Sequence, residues 1–155
     1  MIAFANFVSR YLYVIPIIIL IYVWSGRTPL TRWLIFMRVI TISLVAGILV
    51  FVSDKYLVGA KPYIYHAITN ITKHPIVPGS FPSHHTILTY SSALLVLPFS
   101  LPWGILSLII AVLISASRIA IQLHFAIGVW GGMLVALLGN IVALLLFPGD
   151  KKINS

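Results

Sequence analysis

The chain has 155 residues, 61% of them hydrophobic and 8% charged, with no cysteine. A soluble domain carries about 25% charged residues, so much of this surface must face lipid, and disulfides and thiolate metal sites are excluded. Ten Lys and Arg stand against Asp54 and Asp150 alone, a formal charge of +8. Because the cations flank apolar segments, they serve topology, anionic headgroups or phosphate, and nucleic acid is not an expected partner.

Taken in chain order, the apolar runs are cut by short, turn-rich breaks. The stretch from Met1 to Trp24 lacks a basic leader and a small-residue cleavage site, so it does not read as a cleaved signal. A first apolar run covers Tyr11 to Trp24 and stops at Ser25-Gly26-Arg27-Thr28-Pro29. A second runs from Trp33 to Val52. A third follows Pro82 and ends near Leu97, ahead of Pro98-Phe99-Ser100-Leu101-Pro102. The fourth runs from Trp103 to Ser117 and the fifth from Phe125 to Phe147. A crossing helix needs about 20 residues, so the third and fourth are short and are expected to begin in the interfacial zone. The expected architecture is an all-α integral membrane protein, one domain over residues 1–155, built as a bundle of about five transmembrane helices. Apolar helix faces can pack on the bilayer or on another copy, so a homo-oligomer stays open.

Five crossings put the long polar segment Asp54–His85 and the turn Arg118–His124 on one membrane face. Arg27, Arg32, Lys151 and Lys152 fall on the other, which is the better candidate for the cytoplasm. The polar face is then expected to lie towards the periplasm or cell exterior of an inner (cytoplasmic) membrane. Trp24, Trp33 and Trp103 near helix ends read as an aromatic belt. Trp130-Gly131-Gly132 reads as a place for close helix packing.

Chemistry concentrates on that polar face. From His74 to Gly149, Arg118 is the single Asp, Glu, Lys or Arg. An ionisable residue between two apolar helices is a functional candidate by default, although a snorkelling anchor gives the same pattern. His124 follows after five residues, so a helix-ending Arg and a helix-starting His can converge on one small anion: the guanidinium grips oxygens and the imidazole offers a nucleophilic nitrogen. The segment Gly79-Ser80-Phe81-Pro82-Ser83-His84-His85-Thr86 opens the third helix, where free N–H groups and the dipole attract anions. There Ser83 can donate a hydrogen bond and a His can protonate a leaving oxygen; an N-cap beside two interfacial histidines is the alternative. Metal binding by His84 and His85 is less attractive, because no third ligand stands at recognisable spacing.

Pro82-Ser83-His84-His85 and Ser117-Arg118-(x5)-His124 resemble the second and third signatures of the type 2 phosphatidic acid phosphatase superfamily, PSxH and SR-x5-H-x3-D. The first signature, Lys-x6-Arg-Pro, has a degraded counterpart in Lys55 with Lys61-Pro62. Lys61-Pro62-Tyr63 followed by Ser80-Phe81-Pro82-Ser83-His84-His85 looks most like the bacitracin-resistance undecaprenyl-diphosphatases. The resemblance implies a helical core, usually of six transmembrane helices, and release of phosphate from a membrane lipid phosphate or diphosphate, most like undecaprenyl diphosphate, without metal or cofactor. It also implies roles. His124 would attack phosphorus and His85 protonate the leaving group, while Lys61, Ser83, the His84 backbone N–H, Arg118 and Lys55 hold phosphoryl oxygens.

One position departs from the pattern. Gly128 stands where the third signature ends in Asp, the carboxylate that orients the histidine. Asp54, on the same face, is the candidate to support His124 in its place, with pairing to Lys55 as the plainer reading. The alternative function is a weak or inactive pseudo-phosphatase that binds lipid phosphate headgroups. Phosphatidylglycerol phosphate, phosphatidate and lipid A are alternative substrates of the same chemistry.

Overall fold

In lipid a backbone finds no water to bond, so each apolar run must satisfy its own N–H and C=O groups, and here each does so as a helix. The computed structural model describes residues 7–8, 11–56, 81–120 and 126–149. Among these, five helices follow in order: α1 (Val14–Ser25), α2 (Pro29–Tyr56), α3 (His84–Val96), α4 (Leu101–Ala120) and α5 (Ala126–Leu146). No strand occurs among the described residues. The expected all-α membrane architecture is what the chain adopts, and α2, α4 and α5 are long and apolar enough to cross a bilayer.

Two boundaries differ from the sequence reading for physical reasons. α2 starts four residues early, because Pro29 suits the first helical position and Thr28 caps it, its Oγ1 accepting the Thr31 N–H at 3.4 Å. It also runs on through Ser53, Asp54 and Lys55, polar residues that continue the helix out of the apolar zone. The fourth run, expected to be short, is corrected: α4 has 20 residues, about 30 Å of helix and enough to span. α3, with 13 residues, is short as expected, and α1 is short as well, with 12.

The helices run alternately up and down. Arg38 of α2 donates from Nε and Nη2 to the Phe147 carbonyl after α5, at 3.1 and 2.8 Å. Ile42 packs beside Gly139 further along the same antiparallel pair. α3 and α4 form a tight hairpin, in which a Cβ on Gly104 would stand 2.7 Å from the Leu97 Cα. At the start of α3 the Ser83 N–H donates to the Gly128 carbonyl at the start of α5, 2.9 Å away. Tyr13, the C-terminal ends of α2 and α4, and the N-terminal ends of α3 and α5 therefore share one end of the bundle.

Small residues carry the packing. Lipid offers no hydrophobic drive between helices, so association rests on close backbone approach. Ala93, Ala111 and Ala136 are wholly buried, whereas Trp130 and Leu145 are 67% and 76% exposed. Ile19, Val23, Val96, Ile110 and Ile114 close the seam between α1 and the α3–α4 hairpin.

At the opposite end, arginines cap helix C-termini, whose last carbonyls lack intrahelical donors and carry partial negative charge. Arg27 donates to the Phe99 carbonyl beyond α3 and Arg32 to the Ser25 carbonyl of α1. Buried Arg38 caps α5 and lies over the Phe99 ring. Trp24, Trp33 and Trp103 belong to this end, with Trp24 Nε1 donating to the Arg32 carbonyl at 3.1 Å.

Candidate functional site

The N-terminus of α3 is built by an unusual cap. Ser83 holds the N-cap position with extended backbone (φ −70°, ψ 110°), yet its side chain makes no capping hydrogen bond. A serine there ordinarily accepts an N–H from the first turn. Instead its hydroxyl is fully buried and has no hydrogen-bond partner among the described residues. Leaving such a group unmatched costs about 1–3 kcal/mol, so the fold holds it there against a local cost.

What holds it is α5. The Ser83 N–H is tied to Gly128, and its carbonyl accepts the Ile87 N–H at 2.9 Å. Gly132 lies directly against this cap: a Cβ there would stand 2.8 Å from the Ser83 carbonyl oxygen and 2.9 Å from the Thr86 Cβ. Gly131 makes room for the Phe81 ring in the same way. The glycine pair therefore sets the approach of α5 to the cap, as its composition suggested. Thr86, one turn on, is also fully buried with an unpartnered hydroxyl. Ile87 is the first residue to bond back into the helix, so the N–H groups ahead of it lie beyond the helix's own ladder.

His84 is exposed and His85 half-buried. The His85 ring meets Tyr13 edge to face, centroids 5.1 Å apart and planes at 82°. Its carbonyl accepts the Thr89 hydroxyl at 2.8 Å, which steadies the first turn. Arg118 occupies the last turn of α4 and is 8% exposed. Ser117 beside it donates to the Ile114 carbonyl at 2.7 Å. Asp54 and Lys55 sit exposed in the last turn of α2, with the Lys55 Nζ 5.5 Å from the Tyr56 ring centroid.

Of the residues singled out from sequence, the fold thus brings Ser83, His84, His85 and Arg118 to one bundle end, with Asp54 and Lys55 at the exposed end of α2. Lys61 and His124 lie outside the described residues, as do His66 and His74. Gly128 is buried, and its carbonyl is engaged by Ser83. Sequence reasoning missed Thr86, which carried only the weak signal of a hydroxyl next to His85, and Tyr13, which carried none. Among the described residues His, Asp and Glu do not gather in threes. A helix N-terminus, buried hydroxyls and a buried guanidinium together suit an anion with several oxygens.

These features define a multi-pass α-helical membrane protein whose described polar candidates Ser83, His84, His85 and Arg118 gather at one end. Over 148 residues the chain is 30% identical to the bacitracin transport permease protein BcrC of Bacillus licheniformis, a match covering 96% of this chain and 71% of that protein. It is 26% identical over 151 residues to YbjG of Escherichia coli (strain K12), named as an undecaprenyl-diphosphatase, covering 95% and 74% of the two chains. The chain belongs to the family that includes BcrC. No family model and no solved structure matches it.

Proposed function

We propose that the chain is a membrane lipid phosphatase that releases phosphate from undecaprenyl diphosphate through a phosphohistidine at His124. The observation that carries this reading is the fully buried, unpartnered Ser83 hydroxyl at the N-terminus of α3, at the bundle end that also holds Arg118. Phosphoryl transfer demands little of a protein beyond positioning and charge stabilisation. Fixed N–H dipoles, a hydroxyl donor and a guanidinium supply both. The name of the Escherichia coli relative supports the choice of substrate.

The step sequence is the one that the resemblance to the type 2 phosphatidic acid phosphatases implies for these positions. A His124 ring nitrogen attacks the terminal phosphorus, the bond from phosphorus to the lipid-side oxygen breaks, and that oxygen takes a proton from His85. Water then attacks the phosphorus of the phosphohistidine, giving its proton to His85; the bond from phosphorus to the His124 nitrogen breaks, which regenerates His124, and inorganic phosphate leaves. Arg118, Lys61, Lys55, Ser83 and the His84 N–H hold the phosphoryl oxygens. The site faces the periplasm or cell exterior, since the arginine-capped end suits the cytoplasm.

A lipid substrate also needs somewhere to lay its chain. Between α1, α2 and α3 lies an apolar cavity of about 190 Å³, lined by Ile17, Leu20, Ile42, Leu88 and Leu95 among others. Leu88 stands about one helical turn along α3 from His84 and His85, so the cavity lies inward of the site, among apolar residues of the bundle.

A second reading is favoured by Gly128: a chain without the orienting carboxylate binds lipid phosphate and does not turn it over. Phosphate release from a panel of undecaprenyl diphosphate, phosphatidylglycerol phosphate, phosphatidate and lipid A, by the chain purified in detergent, separates the two. Release from undecaprenyl diphosphate above the other three supports the first reading. Binding without release across the panel supports the second, and neither binding nor release removes both.

A further inference from the structure

We infer that the bundle end opposite the candidate site binds an anionic phospholipid, its phosphodiester held by Arg27 and Arg32. The lipid binds there whether or not the chain turns over phosphate. Charge carries the case. Arg27, Arg32 and Arg38 stand at this end, and among the described residues no Asp or Glu stands with them, Asp54 lying at the other end of α2. Past the described residues the sequence adds Asp150 with Lys151 and Lys152, which leaves the balance positive. The C-termini of α1, α3 and α5 offset about half a charge each, and the N-termini of α2 and α4 give about half a charge each back. A surplus of about two and a half positive charges remains.

Two of the three guanidiniums are placed to meet a ligand. Arg38 is buried and contributes only its field. Arg27 lies half-buried in the turn between α1 and α2, and Arg32 lies exposed in the first turn of α2. Both are already held, Arg27 by the Phe99 carbonyl and Arg32 by the Ser25 carbonyl. Arg32 also lies over the Trp24 ring, 5.6 Å from its centroid. Each carbonyl bond engages one of the five N–H groups that a guanidinium carries. Side chains fixed before binding lose little freedom when the ligand arrives, and the planar fork suits the paired oxygens of a phosphate.

A lipid fits this place better than a free anion, because apolar surface continues from the charged pair. Leu30, Trp33, Phe36 and Ile40 share one exposed face of α2. From Leu30 to Ile40 that face rises about 15 Å, the depth of one leaflet's hydrocarbon. Trp24, Trp33 and Trp103 mark the headgroup level, so a phosphate at the arginines lays its acyl chains along α2. The surplus charge also selects the headgroup. A choline headgroup brings a cation of its own to a cationic end, whereas a glycerol headgroup does not.

The test follows thermal unfolding of the full chain in a neutral detergent, with dioleoyl phosphatidylglycerol, dioleoyl phosphatidylcholine or inorganic phosphate added. Phosphatidylglycerol at about a hundredfold excess over its dissociation constant is expected to raise the midpoint by roughly 5–10 °C, and phosphatidylcholine to leave it near its starting value. A chain carrying Arg27→Gln and Arg32→Gln should lose the difference between the two lipids. Lys55→Gln, at the other end of the bundle, should keep it. Inorganic phosphate should act equally on the wild-type and doubly substituted chains. Should the double variant not fold, the wild-type shift is read against added salt, where a charge-borne shift shrinks and one that persists unchanged overturns the inference. Equal shifts from the two lipids, or none from phosphatidylglycerol, overturn it as well. So does a shift that survives in the double variant or is lost in Lys55→Gln, since the lipid then binds elsewhere. An effect of inorganic phosphate that the double variant abolishes marks a free-anion site in its place. Phosphate release plays no part in these readouts, so their failure leaves the phosphatase reading standing.

Discussion

Replacing Gly132 by Ala tests whether the approach of α5 to α3 sets the site. The added Cβ would stand 2.8 Å from the Ser83 carbonyl oxygen and 2.9 Å from the Thr86 Cβ, where ordinary contact begins at 3.4 Å. About 0.6 Å must be found, the difference between the 3.4 and 2.8 Å values. The carbonyl cannot swing away cheaply, because it already accepts the Ile87 N–H at 2.9 Å. Overpacking of this kind costs about 1–3 kcal/mol, which lowers the midpoint of thermal unfolding by roughly 2–4 °C per kcal/mol in a chain of this size. The easiest relief slides the α3 cap from α5 and carries Ser83 and His85 with it. A misplacement of about 1 Å can cost 10²-fold in rate, so half of that shift should lower kcat by roughly tenfold. Gly47→Ala is the control, since nothing lies within 4 Å of its added Cβ. It should be neutral, or stabilise by up to about 1 kcal/mol through helix propensity. The assay pairs phosphate release with thermal unfolding in detergent. A Gly132→Ala chain with wild-type rate and unchanged midpoint would refute the reasoning.

Two further outcomes follow from the same geometry. Ser83→Ala removes a hydroxyl that the fold leaves unmatched, so unfolding should be unchanged or slightly later, while phosphate release falls by about 10²-fold. A loss of stability with unchanged turnover would reverse that assignment. Arg38→Leu leaves the Phe147 carbonyl without its two donors and should destabilise by about 1–3 kcal/mol, read as an earlier unfolding midpoint. Because Arg38 lies at the far end of the bundle, phosphate release by the folded fraction should stay near wild type.

Much of the architecture was legible because lipid leaves the chain few choices. Apolar runs between Pro- and Gly-rich breaks become helices, and alternating crossings then fix which polar groups share a face. That reasoning placed Ser83, His85 and Arg118 at one end and Arg27 and Arg32 at the other. Helix limits were less legible, since hydropathy marks the apolar part of a helix and not its hydrogen-bonded length. α2 therefore runs on through Asp54 and Lys55, and α4 is longer than its apolar stretch between Trp103 and Ser117. Arg38 showed the limit most clearly. In sequence it is one more cation in an apolar run, and only the arrival of the α5 C-terminus from 109 residues away makes it a cap. Tyr13 was invisible for the same reason, because its partner His85 belongs to another helix. Local motif spacing marked the candidate residues, whereas contacts between distant helices needed the fold.

The most direct test of the central claim is acid-labile, alkali-stable labelling of the chain after brief exposure to undecaprenyl diphosphate labelled with ³²P in its terminal phosphate. The account predicts label on the wild-type chain at His124, and none on a His124→Ala chain that still folds and binds the lipid. Phosphate release that persists in His124→Ala, or label on another residue, would contradict it.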